Sequence, residues 1–143
     1  MTDDTLRVAD FMVKDVFTVS PDTNLMRAVY LLLERGLSGV PVIDEDERVV
    51  GFITERNCIR TALHSGYFDE ETGLVADFMT PLPITTVSPD DSLIDVGDLF
   101  VNSPFRRAPV VADGRLVGMI SRCDVMRALL GGSWFHEPGP TET

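Results

Sequence analysis

Apolar residues recur at helical spacing in two stretches of the chain. In each stretch the positions i, i+3, i+4, i+7 and i+8 are apolar, which predicts a helix with one buried face. These positions are Leu25, Ala28, Val29, Leu32 and Leu33 in the first stretch, and Leu93, Val96, Gly97, Phe100 and Val101 in the second. Thr23 or Asn24 can cap the first helix and Gly36 can end it, while Asp91 or Ser92 can cap the second.

A pair of short apolar runs follows each predicted helix and indicates a β-hairpin. The runs cover residues 40–43, 49–53, 109–112 and 116–120. The second hairpin turns at Asp113 and Gly114, a strong hairpin-turn signal. A short extended piece, residues 16–19 or 84–87, precedes each first helix and ends at Ser-Pro, since the residue before proline disfavours helix. The last strand of each hairpin leads into a further helix, so each unit is predicted to be β-α-β-β-α.

The plan occurs twice because the sequence contains a tandem duplication. V-A-D-F-M stands at residues 8–12 and 75–79, and T-V-S-P-D stands at residues 18–22 and 86–90. One unit is too small to cover its own strands and helices, so two units are expected to pack about a pseudo-two-fold axis. We predict an α/β (α+β) fold in which two such units are paired. The expected boundaries are a first domain at 7–63, a linker at 64–74, a second domain at 75–131 and a C-terminal tail at 132–143.

Each hairpin ends in a hydroxyl residue that stands three positions before an acid or an amide. Ser121 precedes Asp124 in the second unit, and Thr54 precedes Asn57 in the first. This spacing is typical of a helix cap. It also suits a small anionic ligand with vicinal hydroxyls, because the hydroxyl and free N–H groups can meet a phosphate and the carboxylate can accept from a ribose. The residues alone leave both interpretations open.

The charge balance narrows the range of partners. The 143 residues carry 23 acidic and 12 basic side chains, a net charge of -11, which argues against a nucleic-acid binder. A small nucleotide needs only a local positive pocket. The N terminus lacks the apolar segment of a signal peptide, and no apolar run approaches the length of a membrane span. The two cysteines form no disulfide framework and fit a reducing compartment, so we expect a cytoplasmic protein without nucleic-acid or membrane partners.

Candidates for catalysis and for metal binding are sparse. The two histidines, His64 and His136, lie in the linker and the tail, away from a plausible nucleophile, so we do not expect an enzyme. Cys123 is either a reactive thiol or a small apolar residue. The acidic runs at residues 44–47 and 69–71 are either Mg²⁺ ligands or solvated loops.

Four motifs that occur in the same order in both units resemble the CBS domain, named after cystathionine β-synthase. They are V-x-D-F-M, T-V-S-P, G-V-P-V-I-D with its partner A-P-V-V, and V-G-h-I-[ST]-x-x-[ND], where h is apolar, and they span residues 7–131. The resemblance implies a CBS domain pair, known as a Bateman module, in a stand-alone CBS domain-containing protein. Such modules are non-catalytic energy-sensing regulators that bind AMP, ADP, ATP or S-adenosylmethionine between the two domains, with Mg²⁺ only alongside a nucleotide.

The resemblance also implies a homodimer that signals to an effector protein, which the sequence does not identify. The alternative is a ligand-free dimerisation or protein-interaction module that regulates a separate partner.

The ligand-binding residues are likewise implied by the resemblance, and they form two clefts. In one cleft Ser121 would face phosphate and Asp124 would hold the ribose hydroxyls, with Met12, Val13, Ser38, Gly39, Val40 and Pro41 contributed by the first unit. The reciprocal cleft would use Thr54, Asn57, Met79, Thr80, Arg107, Ala108 and Pro109. The adenine would lie between apolar side chains and bond to backbone groups near Val40 or Ala108. Asn57 departs from the family pattern, which has aspartate there, so its cleft lacks a negative charge.

Four arginines are candidates to offset phosphate charge, and ordinary solvated side chains are the alternative for each. They are Arg56, Arg106, Arg107 and Arg122. Arg106 and Arg107 are expected on the Asn57 side, where they would favour ligands with more phosphates.

Overall fold

The computed structural model describes residues 6–65 and 71–131. The tail expected at 132–143, and residues 66–70 of the expected linker, lie outside the described residues. The two described parts contain mixed helix and strand in two similar units, which confirms the predicted fold class.

The first unit consists of helix α1 (Leu25–Arg35), strands β1 (Gly39–Ile43) and β2 (Val49–Thr54), and helix α2 (Glu55–Ser65). The side chain of Asn24 accepts a hydrogen bond from the backbone N–H of Met26 at 2.9 Å, so Asn24 is the cap of α1. Gly36 ends the helix in the left-handed region at φ 64°, where glycine carries no steric penalty. Both ends of α1 therefore confirm the sequence pattern.

The second unit begins with the short helix α3 (Val75–Phe78) and strand β3 (Thr80–Pro81). It continues with helix α4 (Leu93–Val101), strands β4 (Arg107–Ala112) and β5 (Arg115–Ser121), and helix α5 (Arg122–Leu130). Ser92 caps α4 by accepting from the N–H of Ile94 at 3.2 Å.

The strands form two antiparallel sheets, ordered β1-β2-β3 and β4-β5. The predicted first strand of each unit is reduced to a single parallel bridge, Val19 to Val42 in the first unit and Val87 to Val110 in the second. The extended segment therefore adds only one rung to the hairpin edge before the Ser-Pro turn redirects the chain. The predicted β-α-β-β-α order holds, although its first element is shorter than a strand.

The start of each unit packs on the other unit. The resemblance implied that these segments line the clefts, but no sequence pattern predicted that they also enter the cores. A 3₁₀ turn at Val8–Asp10 begins the first unit, and the N–H of Val8 donates to the carbonyl of Asp91 at 3.1 Å. Symmetrically, the N–H of Val75 at the start of α3 donates to the carbonyl of Thr23 at 2.8 Å. We call residues 8–13 and 75–81 the exchanged segments.

Each hydrophobic core consequently contains one residue from the exchanged segment. The core of the first unit is formed by Val19, Leu25, Ala28, Leu32, Val40, Val42, Ile53, Cys58 and the exchanged Val75. The core of the second unit is formed by Val87, Leu93, Val96, Phe100, Ala108, Val110, Ile120, Val125, Ala128 and the exchanged Val8. Because Val8 and Val75 are both fully buried, neither unit completes its core without the other.

Candidate functional site

The turn from β5 into α5 forms a complete capping box. The Asp124 Oδ2 atom accepts hydrogen bonds from the Ser121 N–H at 2.9 Å and from the Ser121 hydroxyl at 3.0 Å. The Asp124 N–H donates back to the Ser121 Oγ atom at 3.2 Å. The predicted cap is therefore present. We call this turn the Asp124 junction.

The second carboxylate oxygen of Asp124 points away from the cap. Its Oδ1 atom accepts from the Arg127 Nη1 atom at 3.1 Å, and the two side chains are 9% and 74% exposed for Asp124 and Arg127. Among the described residues, Asp124 is the only polar or charged residue that is buried. An exposed arginine held by one short ion pair contributes little stability, so Oδ1 can change partners easily.

The turn from β2 into α2, which we call the Asn57 junction, repeats this geometry with an amide. Asn57 Oδ1 accepts from the Thr54 N–H at 2.9 Å and from the Thr54 hydroxyl at 2.8 Å. The Asn57 N–H donates to the Thr54 Oγ1 atom at 3.1 Å. The outward arm is the amide nitrogen Nδ2, which donates to the Thr80 hydroxyl at 3.4 Å. The two junctions thus share a cap and differ in the atom that faces outward.

The exchanged segments lie beside these junctions. Val13 pairs with Met119 of β5, and Thr80 pairs with Phe52 of β2. The side chains of Met12 and Met79 lie against the space where Gly118 and Gly51 would carry a Cβ atom. The structure therefore brings Met12 and Val13 to the Asp124 side, and Met79 and Thr80 to the Asn57 side, as the sequence analysis expected.

The entrance of each hairpin lies beside the junction of its own unit. Gly39 is paired with Thr54, and the Glu55 N–H donates to the carbonyl of Ser38 at 2.9 Å. Arg107 is paired with Ser121, and the Arg122 N–H donates to the carbonyl of Arg106 at 2.9 Å. The expectation that Arg106 and Arg107 lie on the Asn57 side is thus wrong for their backbones, because antiparallel pairing places the start of β4 beside the end of β5. A contact of either entrance across the cleft stays a prediction.

The interior of the hairpins limits what they can offer to an adenine ring. Val40 and Ala108 are 2% and 1% exposed, and their side chains belong to the two cores. Pro41 and Pro109 are buried as well. The side chains of Val40 and Ala108 are thus part of the cores, and a contact of their backbone groups with an adenine stays a prediction.

One of the four candidate arginines has a structural role. Arg122 Nη2 donates to the carbonyl of Phe100 at 3.1 Å and to that of Ser103 at 2.8 Å, so its guanidinium caps the end of α4. The Nη2 atom of Arg122 is thus engaged by the end of α4, and a contact of Arg122 with phosphate stays a prediction. Arg56 and Arg106 are exposed and Arg107 is half-buried.

A crevice of about 200 Å³ lies between the two units and includes residues that the sequence analysis missed. Its lining is Lys14, Val16, Thr18, Ile43, Glu47, Leu116, Val117 and Gly118. Lys14 directly follows the exchanged residue Val13 and supplies a positive charge in the lining. The signal for Lys14 was its position after the repeated V-A-D-F-M motif, where a residue next to a paired segment is carried to the same edge.

The two cysteines occupy different environments. Cys58 is buried in α2, and burial, followed by the charge of Glu55, raises the pKa of its thiol. Cys123 is exposed in the first turn of α5, next to the Asp124 junction. Within residues 6–65 and 71–131, no cluster of three His, Cys, Asp or Glu side chains could hold a metal ion. In the acidic turn at residues 44–47, Asp44 Oδ1 accepts hydrogen bonds from the N–H groups of Asp46 at 2.8 Å and Arg48 at 3.0 Å.

In the described part of the chain, no helix has both the length and the apolar character that crossing a bilayer requires.

The family model for the CBS domain matches this chain twice, at residues 8–64 and 75–131. Since the two matches cover most of the sequence, the chain belongs to the CBS domain family and contains a pair of CBS domains.

Two curated relatives illustrate the similarity. Protein MJ1225 of Methanocaldococcus jannaschii is 32% identical over 127 residues, which is 89% of this chain and 44% of that protein. The chloroplastic CBS domain-containing protein CBSX1 of Arabidopsis thaliana is 33% identical over 151 residues, covering 86% of this chain and 64% of that protein. The chain thus spans between 44% and 64% of the length of these relatives.

Solved structures agree over nearly their whole length. CBSX2 from Arabidopsis thaliana, in complex with AMP, has a TM-score of 0.75 and 35% identity, covering 87% of this chain and 96% of that chain. The CBS domain pair of MJ0100, in complex with 5′-methylthioadenosine and S-adenosyl-L-methionine, has a TM-score of 0.71 and 25% identity, covering 87% and 95%.

Proposed function

We propose that this chain is a non-catalytic regulatory module that binds an adenosine-containing ligand in clefts between its two CBS domains. AMP, ADP, ATP and S-adenosylmethionine are the candidates. The observation that carries the proposal is the outward oxygen of Asp124: a carboxylate that is nine-tenths buried, capped on one oxygen and bridged on the other only to an exposed arginine. Vicinal ribose hydroxyls are donors that match such an acceptor.

The other parts of an adenosine phosphate also have counterparts near this junction. The backbone of Arg107 is paired with Ser121 at the start of α5, where the helix dipole favours an anion. The Ser121 hydroxyl now donates to Asp124. It must rotate to serve a phosphate, while the Ser121 N–H keeps the cap in place.

The ligands bound by similar proteins support the same ligand class. CBSX2 has been solved with AMP, and MJ0100 with two adenosine-containing ligands. These proteins are similar to the present chain over more than four-fifths of its length.

A thermal-shift screen against AMP, ADP, ATP, NAD and S-adenosylmethionine tests the proposal. A ligand at about 100 times its dissociation constant stabilises the folded state by about 2.7 kcal/mol, which is roughly a 10 °C rise in melting temperature for a chain of this size. We expect at least one adenosine-containing ligand to give such a rise, and guanosine or cytidine monophosphate to give none. A screen in which no adenosine compound shifts the melting temperature would contradict the proposal.

A dimerisation or protein-interaction module is the second candidate, and one observation favours it. Several apolar residues of the end helices are 43–81% exposed: Ile59, Leu63, Met126, Leu129 and Leu130. We propose that these faces meet in a homodimer, since exposed apolar patches of this kind mark interaction sites. Light scattering should give twice the chain mass of 15.8 kDa, and a mass of 15.8 kDa at tens of micromolar would contradict the dimer.

We further propose that the module acts on an effector protein in the cytosol and contacts neither nucleic acid nor membrane. The net charge of -11 supports this, because a polyanion would be repelled.

A further inference from the structure

The Asp124 and Asn57 junctions present opposite hydrogen-bonding groups to a ligand. At the Asp124 junction the outward atom is Oδ1, an acceptor that now meets Arg127 at 3.1 Å. At the Asn57 junction the outward atom is Nδ2, a donor that meets the Thr80 hydroxyl at 3.4 Å. The inward oxygens have equivalent partners, because each accepts from an N–H and a hydroxyl of the residue three positions earlier.

These groups place different demands on a sugar. A carboxylate oxygen has two lone pairs and can accept from both hydroxyls of a vicinal diol, whereas an amide nitrogen only donates. After its bond to Thr80, Asn57 Nδ2 has one N–H left, which needs a single acceptor. The 3′-hydroxyl that deoxyribose keeps can supply that acceptor.

We propose that Asn57 is the residue that sets sugar selectivity at its cleft. The Asp124 junction selects ribose over 2′-deoxyribose, and the Asn57 junction accepts either sugar. This inference rests on the proposed binding of adenosine nucleotides and adds a division of specificity between the two clefts.

Removing the 2′-hydroxyl should change the binding affinity by a measurable and different factor at the two junctions. Losing one hydrogen bond to a carboxylate weakens binding by about tenfold or more, because bonds to charged groups are stronger than neutral ones. Arg127 competes for the same oxygen, but its side chain is 74% exposed and water can replace its ion pair. At Asn57, removing the 2′-hydroxyl should change the dissociation constant by less than about twofold, since the free N–H of Nδ2 still has the 3′-hydroxyl as its acceptor.

The test measures the dissociation constants of AMP and 2′-deoxy-AMP by calorimetry on the wild type and on two exchange variants, Asn57→Asp and Asp124→Asn. The ratio of interest is the dissociation constant of 2′-deoxy-AMP divided by that of AMP at the same site. For the wild type we expect this ratio to be about ten at one site and below about two at the other. Asn57→Asp should raise the low ratio to about ten, and Asp124→Asn should lower the high ratio to below about two.

Both variants are expected to keep the helix cap, because each places at its junction a residue type that already caps the other junction. The Asn57 cap shows that an amide oxygen serves this position, and the Asp124 cap shows that a carboxylate does. Both variants should therefore melt within a few degrees of the wild type.

The outcomes separate this inference from the proposed function. If AMP binds but the two ratios are the same in all three proteins, the inference is overturned and nucleotide binding stands. If Asn57→Asp creates a second site where the wild type has only one, the claim that the Asn57 junction accepts either sugar is overturned. If AMP binds to none of the proteins, both proposals fall.

Discussion

The two junctions share one backbone design and differ in a single outward atom. Ser121 and Asp124 make the same three capping hydrogen bonds as Thr54 and Asn57. Capping therefore requires only one side-chain oxygen, which aspartate and asparagine both have. The second atom is free to differ without loss of the helix start. The comparison shows that the cap constrains one atom of each side chain and leaves the other to meet a different partner, Arg127 at Asp124 and Thr80 at Asn57.

The exchanged segments provide a second comparison between the two halves. A Cβ atom on Gly118 would lie 2.7 Å from Met12 Sδ and 2.8 Å from the carbonyl oxygen of Val13. The three heavy atoms nearest to a Cβ atom on Gly51 would all belong to the side chain of Met79. An added methyl group thus meets a backbone carbonyl of the first exchanged segment at Gly118, whereas at Gly51 it meets a flexible side chain of the second.

This difference predicts unequal effects of two matched substitutions. Gly118→Ala should destabilise the fold by about 2 kcal/mol, because the Val13 carbonyl cannot move without breaking its pairing with Met119. Gly51→Ala should destabilise it by about 1 kcal/mol, since the flexible Met79 side chain can turn aside. Guanidinium unfolding curves of both variants measure the two values. A larger loss for Gly51→Ala would show that the segments are packed differently from this account.

The two cysteines allow a finer comparison of the end helices. Because the pKa of Cys58 is raised in the folded state, its thiol contributes stability below the ordinary thiol pKa near 9, and this contribution is lost as the pH rises through the folded value. Between pH 7 and pH 10, ionisation of Cys58 should lower the free energy of unfolding of the wild type by less than about 1 kcal/mol, and Cys58→Ala should abolish this decrease.

Cys123→Ala is the matched control, since Cys123 is exposed. It should change the pH dependence of the free energy of unfolding less than Cys58→Ala does. An equal change of pH dependence in both variants would argue against a buried Cys58.

Much of the fold could be predicted because its signals are local. Periodicity identified α1 and α4, Asp113-Gly114 identified the second hairpin turn, and the repeat of V-A-D-F-M showed the duplication. The capping spacing at residues 121–124 also predicted the geometry of the junction.

The missed features depend on contacts between distant parts of the chain. An apolar pattern shows that Val8 is buried but not which unit covers it, so the exchange of segments was invisible to periodicity. Likewise, the sequence placed Arg122 beside a predicted phosphate site, whereas the end of α4 offers it two carbonyl acceptors. The last carbonyls of a helix can be satisfied by an arginine side chain, and only the fold shows that Arg122 lies within reach of them.

We propose that the outward atom of each junction determines how tightly its cleft binds a nucleotide. This proposal is tested most directly by calorimetric titration of AMP into the wild type, Asp124→Ala and Asn57→Asp. Hydrogen bonds to a carboxylate contribute about 1.5–3 kcal/mol each, and competition with water and Arg127 reduces the net difference.

We predict two wild-type sites whose AMP affinities differ by about tenfold. The tighter site should be lost in Asp124→Ala, and the gap between the sites should close in Asn57→Asp. Two equal sites in the wild type, or an unchanged AMP affinity in Asp124→Ala, would contradict the account.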